Sequence, residues 1–413
     1  MNFDCDALVI GAGPSGTASA ILLAQAGWRV IIIEQHAFPR RKVCGECIAA
    51  GNLELLDQLG VGPDFRRAAG PELRRIGWMG ASSISTADMP PCTEGLYRYG
   101  RAVGRDWLDA QLLQRARSLG VTVVQPARAR TLSGELGRYE CTIDSLPGGL
   151  RTLHTPVVVD AHGSWERGPT FSAHEHAGAA RVPRRNSELL AFKANFRHTT
   201  LAPGFLPVLA LPGGYGGMVV ADAGLTTLAC CLRRDTLSAC RALLPHASAG
   251  AAVEAFLRRS CSGVHEALKG ATREGAWLSV GPLRPGVRIG VGGGVFRVGN
   301  AAGESHALIG EGISMALQSS ALLAAMLVRR PATAIRGRFG VELHHSYAAS
   351  WRRAFAPRLR LAAIYAHVAM RPRLAEPARA LLGRWPALLR GAALLAGKAA
   401  GGAPRPSTTP EIA

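Results

Sequence analysis

The chain has 413 residues, of which 48% are hydrophobic and 19% charged, so it is globular and long enough for two domains or one large α/β domain with an inserted sheet. Its net charge is +19, but no Lys or Arg run is interleaved with aromatic residues, so we expect no nucleic-acid partner. The positive charge favours anionic cofactors, anionic lipid surfaces or acyl-carrier partners.

The cysteines and the N-terminus indicate a cytoplasmic protein. Nine cysteines form no regular disulfide ladder, and an odd number leaves one unpaired. The chain starts in a strand pattern without a secretory signal, and no charge-free stretch reaches the roughly 18 residues of a membrane span. We therefore expect a reducing compartment.

The first element predicts a dinucleotide-binding turn. The apolar strand "CDALVI" runs directly into "GAGPSG" at residues 11–16, a helix follows, and a second strand, "RVIIIE", ends at Glu34. This is the order of strand, G-x-G-x-x-G, helix, strand and acid that the dinucleotide fold requires. The carboxylate of Glu34 would accept both adenosine ribose hydroxyls, which favours FAD or NAD over NADP.

Each glycine of the turn has its own task. Gly11 makes the tight turn, Gly13 lets backbone amides approach a pyrophosphate, and Gly16 permits close packing of helix and strand. The positive end of the helix dipole adds to the attraction. The predicted cofactor contacts in this turn are Gly11, Gly13, Pro14, Ser15 and Gly16.

The next segment, "PRRKVCGEC" at residues 39–47, carries a C-x-x-C spacing. Such a spacing can be a redox disulfide, half of a metal site, or two thiols on a loop that covers a cofactor. A zinc site needs a second pair of ligands, and the adjacent Cys230 and Cys231 do not supply that pattern, so we expect no metal. The spacing alone leaves a disulfide between Cys44 and Cys47 open.

The middle of the chain predicts an antiparallel sheet. Alternating strand-like stretches between about 168 and 290 include "ELLAFKANFRH", "GFLPVLAL" and "LTTLACCLRR". The stretch "PGGYGGMVV" resembles the segment in which prenyl reductases carry Tyr-x-Trp-x-(Phe/Pro), and this resemblance makes Tyr215 a candidate substrate contact. Such a sheet would roof a bound cofactor and shape a substrate cavity.

Around residue 300 the chain reads "FRVGNAAGESHALIGEGISM". This resembles the second FAD fingerprint of the para-hydroxybenzoate hydroxylase and geranylgeranyl reductase superfamily, G-D-A-A-(H/G)…P-x-x-G-(E/Q)-G. Asn300 replaces the usual Asp, although its carbonyl oxygen still accepts hydrogen bonds, and Ala307 replaces the usual Pro. "RDWLDAQL", which begins at Arg105, "VVVDAHG", which ends at Gly163, and "PRRKVCG" are similar to further segments of that superfamily.

The resemblance implies the fold and the remaining site residues. The fold is α/β, a Rossmann-like FAD-binding domain of the glutathione-reductase type with an inserted antiparallel β-sheet substrate domain and a C-terminal helical cover. The expected boundaries are 1–167 and 286–345 for the FAD-binding domain, 168–285 for the sheet, 346–400 for the helical region and 401–413 for a disordered tail. Further cofactor contacts implied by the resemblance are Arg41, Lys42, Cys44, Gly45, Arg105, Gly163, Asn300, Ala301, Gly310, Gly312 and Ile313.

Two residues are candidates for catalysis. Cys44 occupies a position of the superfamily motif beside the flavin, and the resemblance makes "KVCGEC" a flavin-covering loop. His306 lies in the loop before Gly310 and could serve as a general acid or base, although a histidine there is commonly a polar loop residue.

The C-terminal segment predicts short basic amphipathic helices, broken at Pro357, Pro372, Pro377 and Pro386. They would cover the body of the protein. Their basic, amphipathic surface would also allow peripheral membrane contact or guidance of a lipophilic substrate.

The resemblance implies an FAD-dependent oxidoreductase with non-covalent FAD and with NADPH or NADH as the transient electron donor. The leading hypothesis is a monooxygenase that hydroxylates a lipophilic aromatic or polyketide-like small molecule through a C4a-hydroperoxyflavin. One alternative is a geranylgeranyl-reductase-like ene-reductase for an isoprenoid or other alkene, and another is an electron-transfer flavoprotein that reduces a quinone. Gly217 stands where prenyl reductases carry tryptophan, no iron–sulfur cysteine set is present, and the W-x-W-x-I-P motif of flavin halogenases is absent.

Overall fold

The computed structural model describes residues 3–82, 84–146, 148–166, 168–171, 185–290 and 294–397. The tail predicted at 401–413 lies outside these ranges. The strands, in chain order, are β1 Ala7–Ile10, β2 Val30–Ile33, β3 Cys47–Ile48, β4 Arg75–Met79, β5 Ile84–Asp88, β6 Arg101–Ala102, β7 Thr122–Val124, β8 Ala127–Glu135, β9 Arg138–Ser145, β10 Gly149–Thr155, β11 Val157–Asp160, β12 Thr170–Phe171, β13 Leu189–Arg197, β14 Phe205–Leu211, β15 Gly214–Val220, β16 Thr226–Arg233, β17 Thr272–Leu283, β18 Gly286–Val287, β19 Phe296–Arg297 and β20 Gly303–Glu304.

The α-helices are α1 Pro14–Gln25, α2 Leu53–Gln58, α3 Gly62–Ala68, α4 Arg105–Ser118, α5 Arg234–Leu243, α6 Ala249–Ser260, α7 Ser262–Ala267, α8 Gly312–Leu327, α9 Gly337–Ala369, α10 Pro372–Arg384 and α11 Pro386–Leu395. Short 3-10 turns occur at Ala50–Asn52, Asp222–Gly224, Gly299–Ala301, Ala307–Ile309 and Ala332–Ala334.

A parallel sheet of order β19-β11-β1-β2-β7 forms the centre of the first unit. Ala7 of β1 pairs with Val30 of β2 on one side and with Val157 of β11 on the other. These strands are continuous apolar runs because helices and a second sheet cover both faces. The carboxyl ends of β1 and β11 meet at one edge, which confirms the predicted Rossmann-like arrangement.

A smaller sheet has the order β10-β9-β8-β12; β8 to β10 lie between β7 and β11 in the sequence, and β12 follows β11. Its inward side chains, among them Leu132, Tyr139 and Ile143, join the same core as the parallel sheet. Both sheets therefore belong to one packed unit.

A seven-stranded sheet of order β17-β13-β16-β15-β14-β4-β5 forms the second unit. The segment predicted as an insertion supplies β13 to β17, and residues 75–88 add β4 and β5 at one edge through a parallel pairing of β14 with β4. Its side chains alternate between two faces, as strand geometry requires. Phe192, Met218 and Leu228 pack outward against α6, whereas Trp78 and Tyr215 face inward.

The C-terminal helices lie against the inner face of this sheet, where Ala366 of α9 and Ala375 of α10 pack beside Trp78. The prediction that Pro357 and Pro377 break the helices was wrong, because α9 continues through Pro357 and α10 through Pro377. Core contacts of α9 on both sides of Pro357, including Trp351 and Leu359, outweigh the lost backbone hydrogen bond.

None of the described helices combines the length and hydrophobicity needed to cross a bilayer.

Candidate functional site

A cavity of about 480 Å³ lies between the edge of the parallel sheet, the inner face of the seven-stranded sheet and helices α9 to α11. Most residues predicted from the sequence line it. They are Gly11, Gly13, Pro14, Ser15, Glu34, Lys42, Cys44, Gly45, Arg105, Gly163, Tyr215, Asn300, His306, Gly310, Gly312 and Ile313.

Three predicted cofactor contacts lie outside the cavity wall. A Cβ on Gly16 would come within 1.8 Å of the Gly11 carbonyl oxygen, so this glycine serves the packing of α1 on β1. Ala301 is buried beneath the wall. Arg41 turns away from the cavity and donates to Asn195 Oδ1 at 2.6 Å.

Four glycines on the cavity wall leave the backbone open to a ligand. A Cβ on Gly45, Gly163 or Gly312 would meet no atom within 4 Å, and one on Gly13 would meet only Arg105 Nη2, at 3.8 Å. A large planar cofactor that contacts main-chain atoms needs such positions. The residues of the cavity therefore fit FAD.

Glu34 holds the glycine turn in place from the end of β2. Its Oε2 accepts the backbone N–H of Ala12 at 2.8 Å, and its Oε1 accepts that of His36 at 2.9 Å. Arg40 lies 3.2 Å from the same carboxylate. Because each carboxylate oxygen has two lone pairs, these three donors leave Glu34 able to accept one further hydrogen bond, from a ribose hydroxyl at Oε2.

Arg105 is a fixed cation beside Gly13. It begins α4 and makes two hydrogen bonds with Asp109, at 2.8 and 2.7 Å. Burial opposes the charge of the guanidinium, but the carboxylate of Asp109 outweighs it and raises the pKa of Arg105 above its ordinary value. This cation and the amino end of α1 lie on the same part of the wall, which suits an anionic group.

The second motif lies next to the glycine turn, since a Cβ on Gly299 would come within 2.5 Å of Ser15 Oγ. Gly299 has a φ of 57°, in the left-handed region that favours glycine, and turns the chain from β19 into the loop. Asn300 Nδ2 donates to Ser164 Oγ at 2.8 Å, so the amide oxygen is the atom left for a ribityl hydroxyl. Helix α8 then begins at Gly312, and its amino end faces the cavity.

The loop "KVCGEC" covers the cavity with Lys42, Cys44 and Gly45. Cys44 is half-buried, and its Sγ accepts the backbone N–H of Glu46 at 3.3 Å. Cys47 is buried in the short strand β3, and no disulfide joins it to Cys44.

Glu46, between the two cysteines, was missed by the sequence reasoning. It is buried, and its carboxylate accepts from Lys193 Nζ and Thr227 Oγ1 of the seven-stranded sheet and from the backbone N–H of Arg105. These partners lie far apart in the sequence, so no local pattern marks them.

A second missed group surrounds Glu166 at the polar end of the cavity. Arg40 lies 3.2 Å from its carboxylate, and Lys42 and His36 each lie 3.4 Å away. Burial raises the pKa of Glu166, but the positive charges of Lys42 and Arg40 lower it by more. The pKa of this carboxyl therefore lies below its ordinary value. Glu34, His36 and Glu166 could reach one metal ion by distance, yet the guanidinium of Arg40 already pairs with both carboxylates, and Lys42 adds a second positive charge beside Glu166.

Tyr215 and His306 meet at the junction of β15 and the loop before α8. The Tyr215 hydroxyl lies 3.0 Å from His306 Nδ1, and the rings are in an edge-on arrangement with centroids 5.7 Å apart. Burial lowers the pKa of His306 to about 4, and burial also raises the pKa of Tyr215 well above its usual value. Both side chains are therefore neutral at physiological pH.

The inner face of the sheet carries small residues at its centre. Gly217 of β15 pairs with Val208 on one side and Ala229 on the other, and Val208 pairs in turn with Trp78. Because Gly217 follows Tyr215 by two positions, both face the cavity. The missing side chain leaves room on the cavity side next to Val208, whose other neighbour is Trp78.

Comparison with known proteins agrees with this geometry. Residues 4–178 match the model of the FAD binding domain family. Over 161 residues, 38% of the chain, it is 32% identical to the menaquinone reductase of Mycobacterium tuberculosis, and the match spans 37% of that protein, just over a third of its length.

Two solved structures share the fold over most of the chain. The myxobacterial chondrochloren halogenase is 22% identical, with a TM-score of 0.73 over 96% of this chain and 90% of that one. A p-nitrophenol 4-monooxygenase from Pseudomonas putida is 15% identical, with a TM-score of 0.70 over 97% and 99% of the two chains. Residues 4–178 of this chain therefore match an FAD binding domain, and the chain has the fold of these FAD-dependent enzymes.

Proposed function

We propose that the chain is a monooxygenase that uses FAD and either NADPH or NADH to hydroxylate a lipophilic aromatic or polyketide-like small molecule. The observation that carries the proposal is one continuous cavity with a polar end, which suits FAD, and an apolar end. The apolar end is lined by Ile76, Trp78, Leu206, Val208, Leu382 and Leu389.

The polar end supplies the groups that a dinucleotide needs. The amino end of α1 and Arg105 would bind the pyrophosphate, and Glu34 would bind the adenosine ribose. Asn300 would bind the ribityl chain, and the amino end of α8 would stabilise negative charge on the ring. Bound FAD would accept a hydride from the nicotinamide donor and would then activate dioxygen.

The apolar end would hold the substrate and exclude water. A planar ring fits the space that Gly217 and Ala229 leave next to Val208. Water exclusion protects a reactive oxygen donor from hydrolysis, so an apolar wall favours oxygen transfer over wasteful loss of peroxide.

The pair of Tyr215 and His306 would handle protons at the boundary between the two ends. Because His306 is neutral, its Nδ1 can accept a hydrogen bond from the Tyr215 hydroxyl and hold that hydroxyl in one orientation. The oxygen of Tyr215 then remains as a hydrogen-bond acceptor for a polar group on the substrate.

A reductase is the second candidate. It is favoured by the sequence match to a protein named menaquinone reductase, a match confined to just over a third of that protein. An ene-reductase would use the same cavity but would transfer hydride to an alkene and consume no oxygen.

One assay separates these candidates. The FAD-loaded protein is supplied with NADPH or NADH and a panel of phenols, polyketide-like aromatics and isoprenoid alkenes, with air and without it. Oxygen uptake matched by one added oxygen atom per product supports the monooxygenase. Product with two added hydrogens in the absence of air would refute it, and halogenated product on addition of chloride or bromide would assign the chemistry of the halogenases that share the fold.

A further inference from the structure

Helices α10 and α11 expose more apolar surface than their role as a cover requires. Trp385 is 54% exposed and Leu395 66% exposed, and Leu374, Leu388 and Leu394 are exposed as well. The other face of α11 packs inward through Leu389 and Ala393. Helix α11 is thus apolar on both faces, and its outer face meets none of the hydrophobic clusters in the described part of the chain.

The same surface contains an opening of the cavity. Ile364 of α9 is 59% exposed and Leu381 of α10 is 47% exposed, yet both line the cavity. Ala378, Leu382 and Ala392, from the same helices, line it from within. A molecule that lies on the outer face of these helices therefore has an apolar route inward.

Positive charge surrounds this face. Residues 371–397 contain five arginines and one acidic residue, Glu376, which pairs with Arg379 at 3.0 Å. Two copies that met through this face would bring the excess positive charges together, whereas an anionic surface would complement them. Exposed leucine with tryptophan and arginine nearby is the combination that binds the interface of a bilayer.

We propose that the outer face of α10 and α11 docks on an anionic lipid surface, with the mouth at Ile364 and Leu381 turned toward the bilayer so that a lipophilic substrate enters from it. The inference takes the class of substrate from the proposed function. The docking itself requires no turnover, and because no described helix can span a bilayer, the contact is peripheral.

The experiment is cosedimentation of the full-length, FAD-loaded protein with vesicles of phosphatidylcholine alone or mixed with phosphatidylglycerol. We expect binding to the mixed vesicles that weakens with added salt. The double variant Leu388→Ser, Leu395→Ser should bind about tenfold less, since it removes two apolar side chains from the face. The matched control, Leu150→Ser with Leu243→Ser, removes two leucines that are 71% and 62% exposed elsewhere and should bind like the parent protein.

A second measurement uses Trp385. Its fluorescence should shift to the blue on addition of mixed vesicles, and Trp385→Phe should remove that part of the shift. FAD content and circular dichroism check the fold of each variant.

Three results would overturn the proposal. The first is that the parent protein does not bind mixed vesicles. The second is that the control double variant loses as much vesicle binding as Leu388→Ser with Leu395→Ser. The third is that the parent protein is a dimer and that Leu388→Ser with Leu395→Ser dissociates it, which would assign the face to a second copy. Vesicle binding without oxygen uptake would instead contradict the monooxygenase and leave the docking surface in place.

Discussion

Glu46 and Lys193 form a buried ion pair, in which Glu46 is 1% exposed and Lys193 is 2% exposed. Glu46 belongs to the loop that covers the cavity, and Lys193 belongs to β13 of the seven-stranded sheet. The same carboxylate accepts from the backbone N–H of Arg105, so it joins the loop, the sheet and the start of α4. Glu46 holds a φ of 60°, which is uncommon for a residue with a side chain.

Removing one partner should therefore destabilise the protein strongly. Glu46→Gln leaves the Lys193 ammonium buried without a counter-charge, a change that costs about 3–5 kcal/mol in comparable sites. We expect a large fall in the free energy of unfolding by urea, partly recovered in the double variant Glu46→Gln, Lys193→Met. Glu72→Gln, which breaks an exposed pair with Arg74, is the control and should cost less than about 1 kcal/mol. Equal costs for Glu46→Gln and Glu72→Gln would contradict the role of the buried pair.

Gly13→Asp should abolish FAD binding without unfolding the protein. A side chain at Gly13 points into the open cavity, where its nearest neighbour is Arg105 Nη2 at 3.8 Å. The folded chain has room for the aspartate. Its carboxylate, however, would occupy the space proposed for the pyrophosphate and would repel the negative charge of that group. The measurements are the flavin absorbance of the purified protein and its circular dichroism. A folded variant with full FAD occupancy would show that the pyrophosphate lies elsewhere.

The parts of the site that the sequence predicts are those set by neighbours in the chain. The turn at 11–16 depends on glycines at fixed spacing, and Glu34 follows at the end of the next strand, so one segment specifies both. The same is true of Asn300 and the start of α8 at Gly312.

What the sequence does not predict depends on contacts between distant segments. Glu46 pairs with Lys193 of the seven-stranded sheet, and Lys42 pairs with Glu166 in the segment after β11, so both partners lie more than a hundred positions away in the sequence. Strand β4 joins the sheet through β14, and β5 forms the edge beyond it. Arg41 is a related case, because a motif position fixes its backbone but Asn195, in another unit, determines where its side chain points.

The two cysteines of the cavity loop should differ in their effect on turnover. Both cysteines border the cavity, but Cys44 is half-buried and its Sγ accepts a hydrogen bond from the backbone N–H of Glu46, whereas Cys47 is buried in β3. We expect Cys47→Ser to be nearly silent and Cys44→Ser to change the rate or the coupling of NADPH oxidation to product. The measurement is flavin reduction and product formation by both single variants under one set of conditions. A shuttling disulfide needs both an attacking and a resolving thiol, so equal, near-total loss in both would restore that interpretation.

Gly217→Trp should close the apolar end of the cavity. The position faces the cavity next to Val208, and a Cβ there would meet only the carbonyl oxygen of Pro207, at 3.2 Å. An indole would fill the space proposed for a substrate ring, so KM should rise at least about tenfold while FAD content is unchanged. Gly217→Ala, which adds one methyl group, is the matched control and should have a small effect. Unchanged KM in Gly217→Trp would place the substrate elsewhere.

His306 should make the stability of the protein depend on pH. Burial lowers its pKa from 6.5 to about 4, so the unfolded chain binds a proton between these values that the folded chain does not bind. The stabilisation is therefore fully present above the unfolded pKa and is lost as the pH falls through the folded pKa.

Lowering the pH from about 7.5 to about 5 should reduce the free energy of unfolding by up to about 2 kcal/mol more in the parent protein than in His306→Gln. Urea unfolding at both pH values measures this difference, and the buried His344, present in both proteins, cancels from it. Tyr215→Phe removes the hydroxyl but keeps the burial, so it should retain the dependence on pH. If the free energies of the parent and His306→Gln fall by the same amount, His306 is not held neutral in the cavity.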